Sequence, residues 1–304
     1  MGLMRLAFLG TPEFAVPTLE RILDVGHEVA CVVTQPDRPK GRSRQPAASP
    51  VKQTALERGL PVFQPERIRR PEAVERLRDL RTEVMVVVGY GQIIPQSIID
   101  LPPHGIINVH ASLLPKYRGA APIQWAIVNG ETRTGVTTMR INAGLDTGDM
   151  LLKEETEIGP DETAVELSAR LAPMGAGLLV RTLAEIDRIT PEKQDDAQAT
   201  FAPILKKEHG AIDWSRGAQQ VHNLVRGMQP WPGAYTDFRG QALHIWKARF
   251  AGGFSGKKRF VARCGDGAAL ELLEVQLEGK KRMAGDAFAN GQRITEEGVF
   301  RFGL

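Results

Sequence analysis

Short apolar runs and amphipathic stretches alternate through the first two thirds of the chain. "RLAFLG" (5–10), "HEVACVVT" (27–34), "EVMVVVGYG" (83–91) and "GIINVH" (105–110) are nearly continuous apolar runs, often β-branched. That is the pattern of strands covered on both faces. "AVPTLERIL" between the first two puts Val16, Leu19, Ile22 and Leu23 on one face at helical spacing. "ASPVKQTALERG" predicts a helix with Ser49 as N-cap, Pro50 at its first position and Gly59 at its end. "LPVFQ" reads as a short strand and "PEAVERLRDL" as an amphipathic helix. "TGVTTMRIN" (134–142) alternates as a strand should, "MLLKEETEI" offers one more strand, and 162–186 form a long amphipathic helix. Strands alternating with helices predict an α/β domain, Rossmann-like, with a mostly parallel sheet and helices on both faces. Ligands of such sheets bind beyond the carboxyl ends of the strands, so the strand exits are the places to look for chemistry.

The pattern changes near residue 187. "RITPEKQDDAQATFAPILKKEHG" is polar, holds two prolines and keeps no period, so residues 188–208 read as a linker. "AIDWSRGAQQVHNLVRGM" reads as a helix. "AYTDF", "QALHIWKARF", "RFVARCG", "ALELLEVQL" and "GVFRFG" follow as short strands between glycine-rich turns. They predict a small C-terminal all-β barrel or sandwich over 209–304, separate from the domain of 1–187. Charge sharpens this division. Residues 209–304 carry 14 Lys and Arg against 9 Asp and Glu, a net of +5, and the remainder carries 25 against 27, a net of −2. The basic part fits an anionic partner, and equally a solvated surface. Cys31 and Cys264 lack metal-site spacing and read as small buried residues in a reducing compartment. "MGLMRLAFLG" lacks the layout of a signal peptide, and no stretch approaches the ~20 apolar residues of a membrane span. A cytoplasmic monomer is the expectation.

Three strand exits carry candidate chemistry. In "NVHASLLPKYRGAAPIQWAI" (108–127), Asn108 and His110 are i and i+2 at the end of an apolar strand, so both side chains face one side. An amide donor beside an imidazole suits a reaction that builds negative charge on oxygen. Alone, N-x-H fits better an Asn and a His bonded to loop backbone. "AGLDTGDM" (143–150) places Asp146 on a glycine-bounded loop at a second exit. Beside His110 its carboxylate would fix the ring's tautomer; otherwise it is a turn Asp. "VVVGYGQIIP" (86–95) is the third exit, and its Gly89-Tyr90-Gly91 is at best half of a dinucleotide fingerprint. No G-x-x-x-x-G-K-S/T, H-x-x-E-H or C-x-x-C spacing occurs, which disfavours nucleoside triphosphates and a bound metal. "QPDRPKGRSRQPAASP" (35–50) spaces Arg38, Lys40, Arg42 and Arg44 through a long Pro/Gly-rich loop. Such a loop grips phosphates or is simply solvated.

Together "NVHASLLPKYRGAAPIQWAI", "GLDTGDM", "TQPDRPKGR" and "GTPEFAVPTL" resemble the formyltransferases that use 10-formyltetrahydrofolate. "TQPDRPKGR", "GTPEF" and "KKEHGAIDWS…PWPGAYT" narrow the resemblance to the methionyl-tRNA formyltransferase branch, over nearly the whole chain. The resemblance implies that Asn108, His110 and Asp146 are a catalytic trio. It implies that Ser112, Leu113, Leu114 and Pro115 form the folate-contacting turn. Val88, Gly89, Tyr90, Gln92 and Ile93 on one loop, and Asn142, Gly144 and Leu145 on another, would wall the pterin pocket. Phe14 would lie by the methionyl group, and Arg38, Lys40, Arg42, Arg44, Lys206 and Lys207 would contact initiator methionyl-tRNA. The second domain would be an oligonucleotide-binding-type barrel, the co-substrate 10-formyltetrahydrofolate, with no metal. Ala111 stands where relatives often carry Gly or Pro. Other amine acceptors, a formate-releasing hydrolase and a nucleic-acid-binding module are the rival readings; the basic loop and the intact trio disfavour them.

Overall fold

Alternate residues of the central strands are committed to two different cores. A computed structural model describes residues 2–39, 46–252, 259–294 and 299–300. Leu6 and Phe8, then Val84, Val86 and Val88, then Ile107 and Val109, all face one apolar cluster with Leu19, Ile22, Val51, Leu179 and Leu183. Ala7 and Leu9, Cys31 and Val33, and Met85 and Val87 face the other, with Val74, Leu77 and Ile98. Both faces are therefore apolar, which is why these strands show no polar alternation.

Seven strands run in the order Met150–Glu157, Arg133–Arg140, Ile106–His110, Val84–Val88, Arg5–Gly10, Glu28–Val33, Val62–Phe63. Those from Ile106–His110 to Val62–Phe63 are parallel, and Arg133–Arg140 pairs antiparallel to Ile106–His110. The helices form where the sequence indicated. Val16–Asp24 buries Leu19 and Ile22. Pro50–Glu57 starts at Pro50, and the Ser49 side chain accepts a hydrogen bond from Lys52 N at 3.2 Å. Pro71–Asp79 and Ala164–Ala184 follow. One helix is shorter than expected. It covers Ala218–Gly227, because Asp213 Oδ1 accepts from Ser215 N and ties the preceding residues into a turn.

The chain divides into two compact units that interleave in sequence. One comprises 1–119, 134–156 and 168–201, the other 120–133, 157–167 and 202–304. The contiguous division expected from the change of texture at 187 differs from this, and packing around Ala218–Gly227 supplies the reason. Pro122–Val128 lies so close to this helix that a Cβ on Gly227 would sit 2.7 Å from Val128 Cγ2. Buried Arg226 donates from Nη1 to Gly159 O and Glu162 O, both at 3.1 Å. In this second unit the helix packs on a six-stranded half-barrel. Its strands Ala234–Phe238, Gln241–Phe250, Ala269–Leu277 and Val261–Arg263 pair antiparallel. Among the described residues no helix is long and apolar enough to cross a membrane.

Candidate active site at the exits of the parallel strands

The strand Ile106–His110 directs Ile107 and Val109 into the first core. The intervening Asn108 and His110 therefore project from the other face, at the end of the sheet where ligands bind. Both are buried. The amide of Asn108 makes no side-chain hydrogen bond with the described residues, and its polar atoms are not fully occluded. His110 is held on both sides. Its Nε2 lies 2.9 Å from Tyr117 O, and its Nδ1 lies 3.7 Å from Asp146 Oδ2. A carbonyl only accepts, so Nε2 carries a hydrogen and Nδ1 is the edge turned to the carboxylate.

Backbone strain coincides with these two partners. Tyr117 and Asp146 adopt φ of 60° and 51°, in the left-handed region that non-glycine residues rarely occupy. Each is fixed by bonds from elsewhere in the chain. Tyr117 N donates to Thr200 Oγ1 at 2.9 Å, and Gly119 N donates to Asp146 Oδ2 at 2.9 Å. Gln194 Nε2 donates to Asp146 O and to Gly148 O, each at 2.8 Å. Its Oε1 accepts from Arg118 Nε at 2.9 Å, and Arg118 Nη2 reaches Asp196 Oδ1 at 2.8 Å. Asn142 Oδ1 accepts from Gly144 N and Thr147 Oγ1, which ties the same loop together on both sides of Asp146.

The other expected positions separate into groups. The turn from Ser112 to Pro115 is pinned to the neighbouring strand, because Thr137 Oγ1 donates to Ser112 O at 2.7 Å and accepts from Leu114 N at 3.2 Å. Ser112 itself donates to Lys116 O, and Leu113 packs over Gly135. Gly89 and Gly91 take positive φ at the adjacent strand exit, and an added Cβ at Gly89 would lie 2.8 Å from Pro12 Cγ. Ile93 and Leu145 are 90% and 64% exposed, large apolar side chains on two loops beyond the strands. Three side chains point elsewhere. Val88 and Tyr90 are buried in the two cores, and burial raises the Tyr90 phenol above its ordinary range. Tyr90 O alone serves the loop, accepting from Thr11 Oγ1 and Gln35 Nε2. The Gln92 amide is engaged by Ile68 N and Pro65 O.

Phe14 is partly buried against the first core. Arg38 is exposed, whereas Lys40, Arg42 and Arg44 lie outside the described residues. Lys206 and Lys207 are exposed and belong to the second unit. No cluster of three His, Cys, Asp or Glu suited to a metal occurs among the described residues. Sequence reasoning missed Arg118, Gln194 and Thr200. Arg118 stood inside the quoted motif without an assigned role; the other two lay in the stretch read as a linker.

Sequence comparison decides the family. The profile described as "Formyl transferase" matches residues 4–183, and "Formyl transferase, C-terminal domain" matches 204–293. The chain belongs to the formyl transferase family. A relative from Solibacter usitatus (strain Ellin6076), named methionyl-tRNA formyltransferase, is 67% identical over 303 residues, covering 96% of this chain and 97% of the relative. Among solved structures, the N-formyltransferase of Helicobacter canadensis in complex with folinic acid and dTDP-3-aminofucose superposes with a TM-score of 0.69 at 20% identity, over 89% of this chain and 99% of that one. The methionyl-tRNA formyltransferase of Clostridium thermocellum gives 0.61 at 17% identity, over 90% and 99%. At such identities the two structures share the fold.

Proposed function

We infer that this formyl transferase moves the formyl group of 10-formyltetrahydrofolate to the free α-amino group of methionyl initiator tRNA, giving formylmethionyl-tRNA for translation initiation. The observation that carries the reaction is His110 set between Tyr117 O and the Asp146 carboxylate, beside an Asn108 amide that no described residue engages. The acceptor follows from the 67% identity to a methionyl-tRNA formyltransferase over nearly the full chain.

The strand exits suit a folate. Exposed Ile93 and Leu145 offer apolar surface to a pterin, and the positive-φ glycines at 89 and 91 leave room for it to approach the backbone. When bound, the folate supplies an activated formyl carbonyl. The chain's own residues do the rest. Asn108 Nδ2 donates a hydrogen bond to the formyl oxygen as negative charge builds there. With Nε2–H engaged by Tyr117 O, Nδ1 is the edge of His110 that takes up or gives a proton. Once Nδ1 is protonated it donates to the same oxygen, and the Asp146 carboxylate compensates the charge of the ring. The His110–Asp146 pair takes the proton released by the attacking amine and returns it at the departing nitrogen.

The second unit is proposed to bind the tRNA. Its support is the net +5 of residues 209–304 together with exposed Lys206 and Lys207. Arg38, Lys40, Arg42 and Arg44 are proposed to contact the acceptor stem, and the enzyme to act as a cytoplasmic monomer. One assay tests the reading. Purified enzyme with 10-formyltetrahydrofolate and charged initiator tRNA should give formylmethionyl-tRNA. Formate release without that product would replace it with a hydrolase.

A further inference from the structure

A circuit of hydrogen bonds, completed by one ion-pair contact of 3.7 Å, surrounds His110. From Nε2 it passes to Tyr117 O, along the backbone to Arg118, from Nε to Gln194 Oε1, from Nε2 of Gln194 to Asp146 O, and back through the carboxylate to Nδ1. The orientation of the Gln194 amide in this circuit is dictated by its neighbours. Arg118 Nε only donates, so it must face the amide oxygen; two carbonyls only accept, so they must face the amide nitrogen. No other rotation of the group satisfies all three.

The two carbonyls bonded to Gln194 belong to Asp146 and Gly148, the ends of a three-residue turn. Asp146 holds φ of 51° in that turn, a conformation that persists only where surroundings over-determine it. Asn142 restrains the loop on both sides of Asp146, through Gly144 N before it and the Thr147 hydroxyl after it. Gln194 restrains it on the side after, and Gly119 N fixes the carboxylate oxygen that faces Nδ1. Without Gln194 the carbonyls of Asp146 and Gly148 lose this donor, and relaxation of Asp146 toward negative φ would swing its carboxylate away from the ring.

We propose that Gln194, oriented by Arg118, is a positioning residue that holds the Asp146 carboxylate against His110, so the stretch read as a linker forms part of the active site. This rests on the reading of Asp146 as catalytic. Full-length Gln194→Ala, Gln194→Glu, Asp146→Ala and the double variant Asp146→Ala/Gln194→Ala would be compared in steady-state formylation of methionyl initiator tRNA. Gln194→Glu keeps the length and the Arg118 contact but sets a carboxylate oxygen against the two carbonyls, so it isolates the lost donor.

Both Gln194 variants should lose about 10- to 100-fold in kcat while KM for each substrate stays within about twofold. The double variant should fall no more than about twofold below Asp146→Ala alone, because a positioning residue has nothing left to position. Losses that multiply in the double variant would overturn the proposal. So would a kcat for Gln194→Glu within about twofold of the parent, a criterion that stands even if Gln194→Ala folds poorly. The two readings fail separately. Full turnover in Asp146→Ala overturns the trio and this inference together, whereas a crippled Asp146→Ala beside a fully active Gln194→Glu overturns this inference alone.

Discussion

Residues 108–119 and residues 192–200 grip the same loop from two sides, and they are built in opposite ways. The first segment leaves a buried strand, so ladder bonds to two neighbours fix its backbone before any side chain acts. The second has few ladder bonds. Glu192 exchanges backbone bonds with Met150, Thr200 O accepts from Arg118 N and Thr200 N donates to Pro115 O, and side chains make most of the other contacts while 195–198 stay exposed. The exit of an interior strand thus presents the groups proposed to react, and an irregular segment supplies the bonds that hold them. Precision at the site comes from the rigid element, and closure comes from the segment that lacks one.

Removing a reacting group should break this comparison most visibly. Asn108→Ala, His110→Ala and Asp146→Ala should each lose about 10²- to 10³-fold in kcat, the cost of one donor or proton-handling group, with melting temperature nearly kept. Near-parental turnover in any of them removes that residue from the trio. Arg118→Ala comes next. It strips the Gln194 amide of its orienting donor and unpairs Asp196, so about 2 kcal/mol of stability and about tenfold in kcat should go together in denaturant melts and rate assays. Thr200→Val is milder. It removes the acceptor for Tyr117 N at unchanged shape, and about 1 kcal/mol should be lost with only a few-fold effect on rate.

The smallest effect separates acid damage to the fold from damage to the circuit. Burial lowers the pKa of His27, whose Nδ1 accepts from Met4 N, and a Glu83 charge only partly opposes it. Burial also lowers His222 and His244, with Arg226 and Lys207 adding to the shift. A histidine lowered in the folded chain stays neutral there while the unfolded chain takes up a proton. Its stabilisation is therefore complete above about pH 6.5 and lost as pH falls through the folded value. These three lie outside both gripping segments. Acidification from about pH 7.5 to about pH 5.5 should lower the melting temperature of the parent and of Thr200→Val alike. A steeper acid loss in Thr200→Val would mean that the circuit itself carries the pH dependence.

Much of the architecture was legible because it depends on neighbours in sequence. The apolar runs 5–10, 27–34, 83–91 and 105–110 all became sheet strands, and Ser49, Pro50 and Gly59 bounded a helix as their chemistry requires. The site was legible in part. Asn108 and His110 share a face by strand geometry alone, and Asp146 stood out on its glycine-bounded loop. Tyr90 and Gln92 show where such reading ends. Both sit in the loop that the resemblance implicated, yet one side chain fills a core and the other ties down Ile68 and Pro65. Residues 188–208 show the converse, since bonds to distant carbonyls and hydroxyls leave no period in the sequence.

The sequence by itself determined the strands, most helices, the paired donors at 108 and 110 and the family, because each is written in local spacing or contiguous motif. Only the tertiary structure decided what surrounds His110. Gly119 and Asp146 are 27 residues apart, Gln194 and Asp146 are 48 apart, and Arg118 and Gln194 are 76 apart. No periodicity spans such distances. The chain closes that circuit only after sheet formation brings the three segments to one end of the sheet.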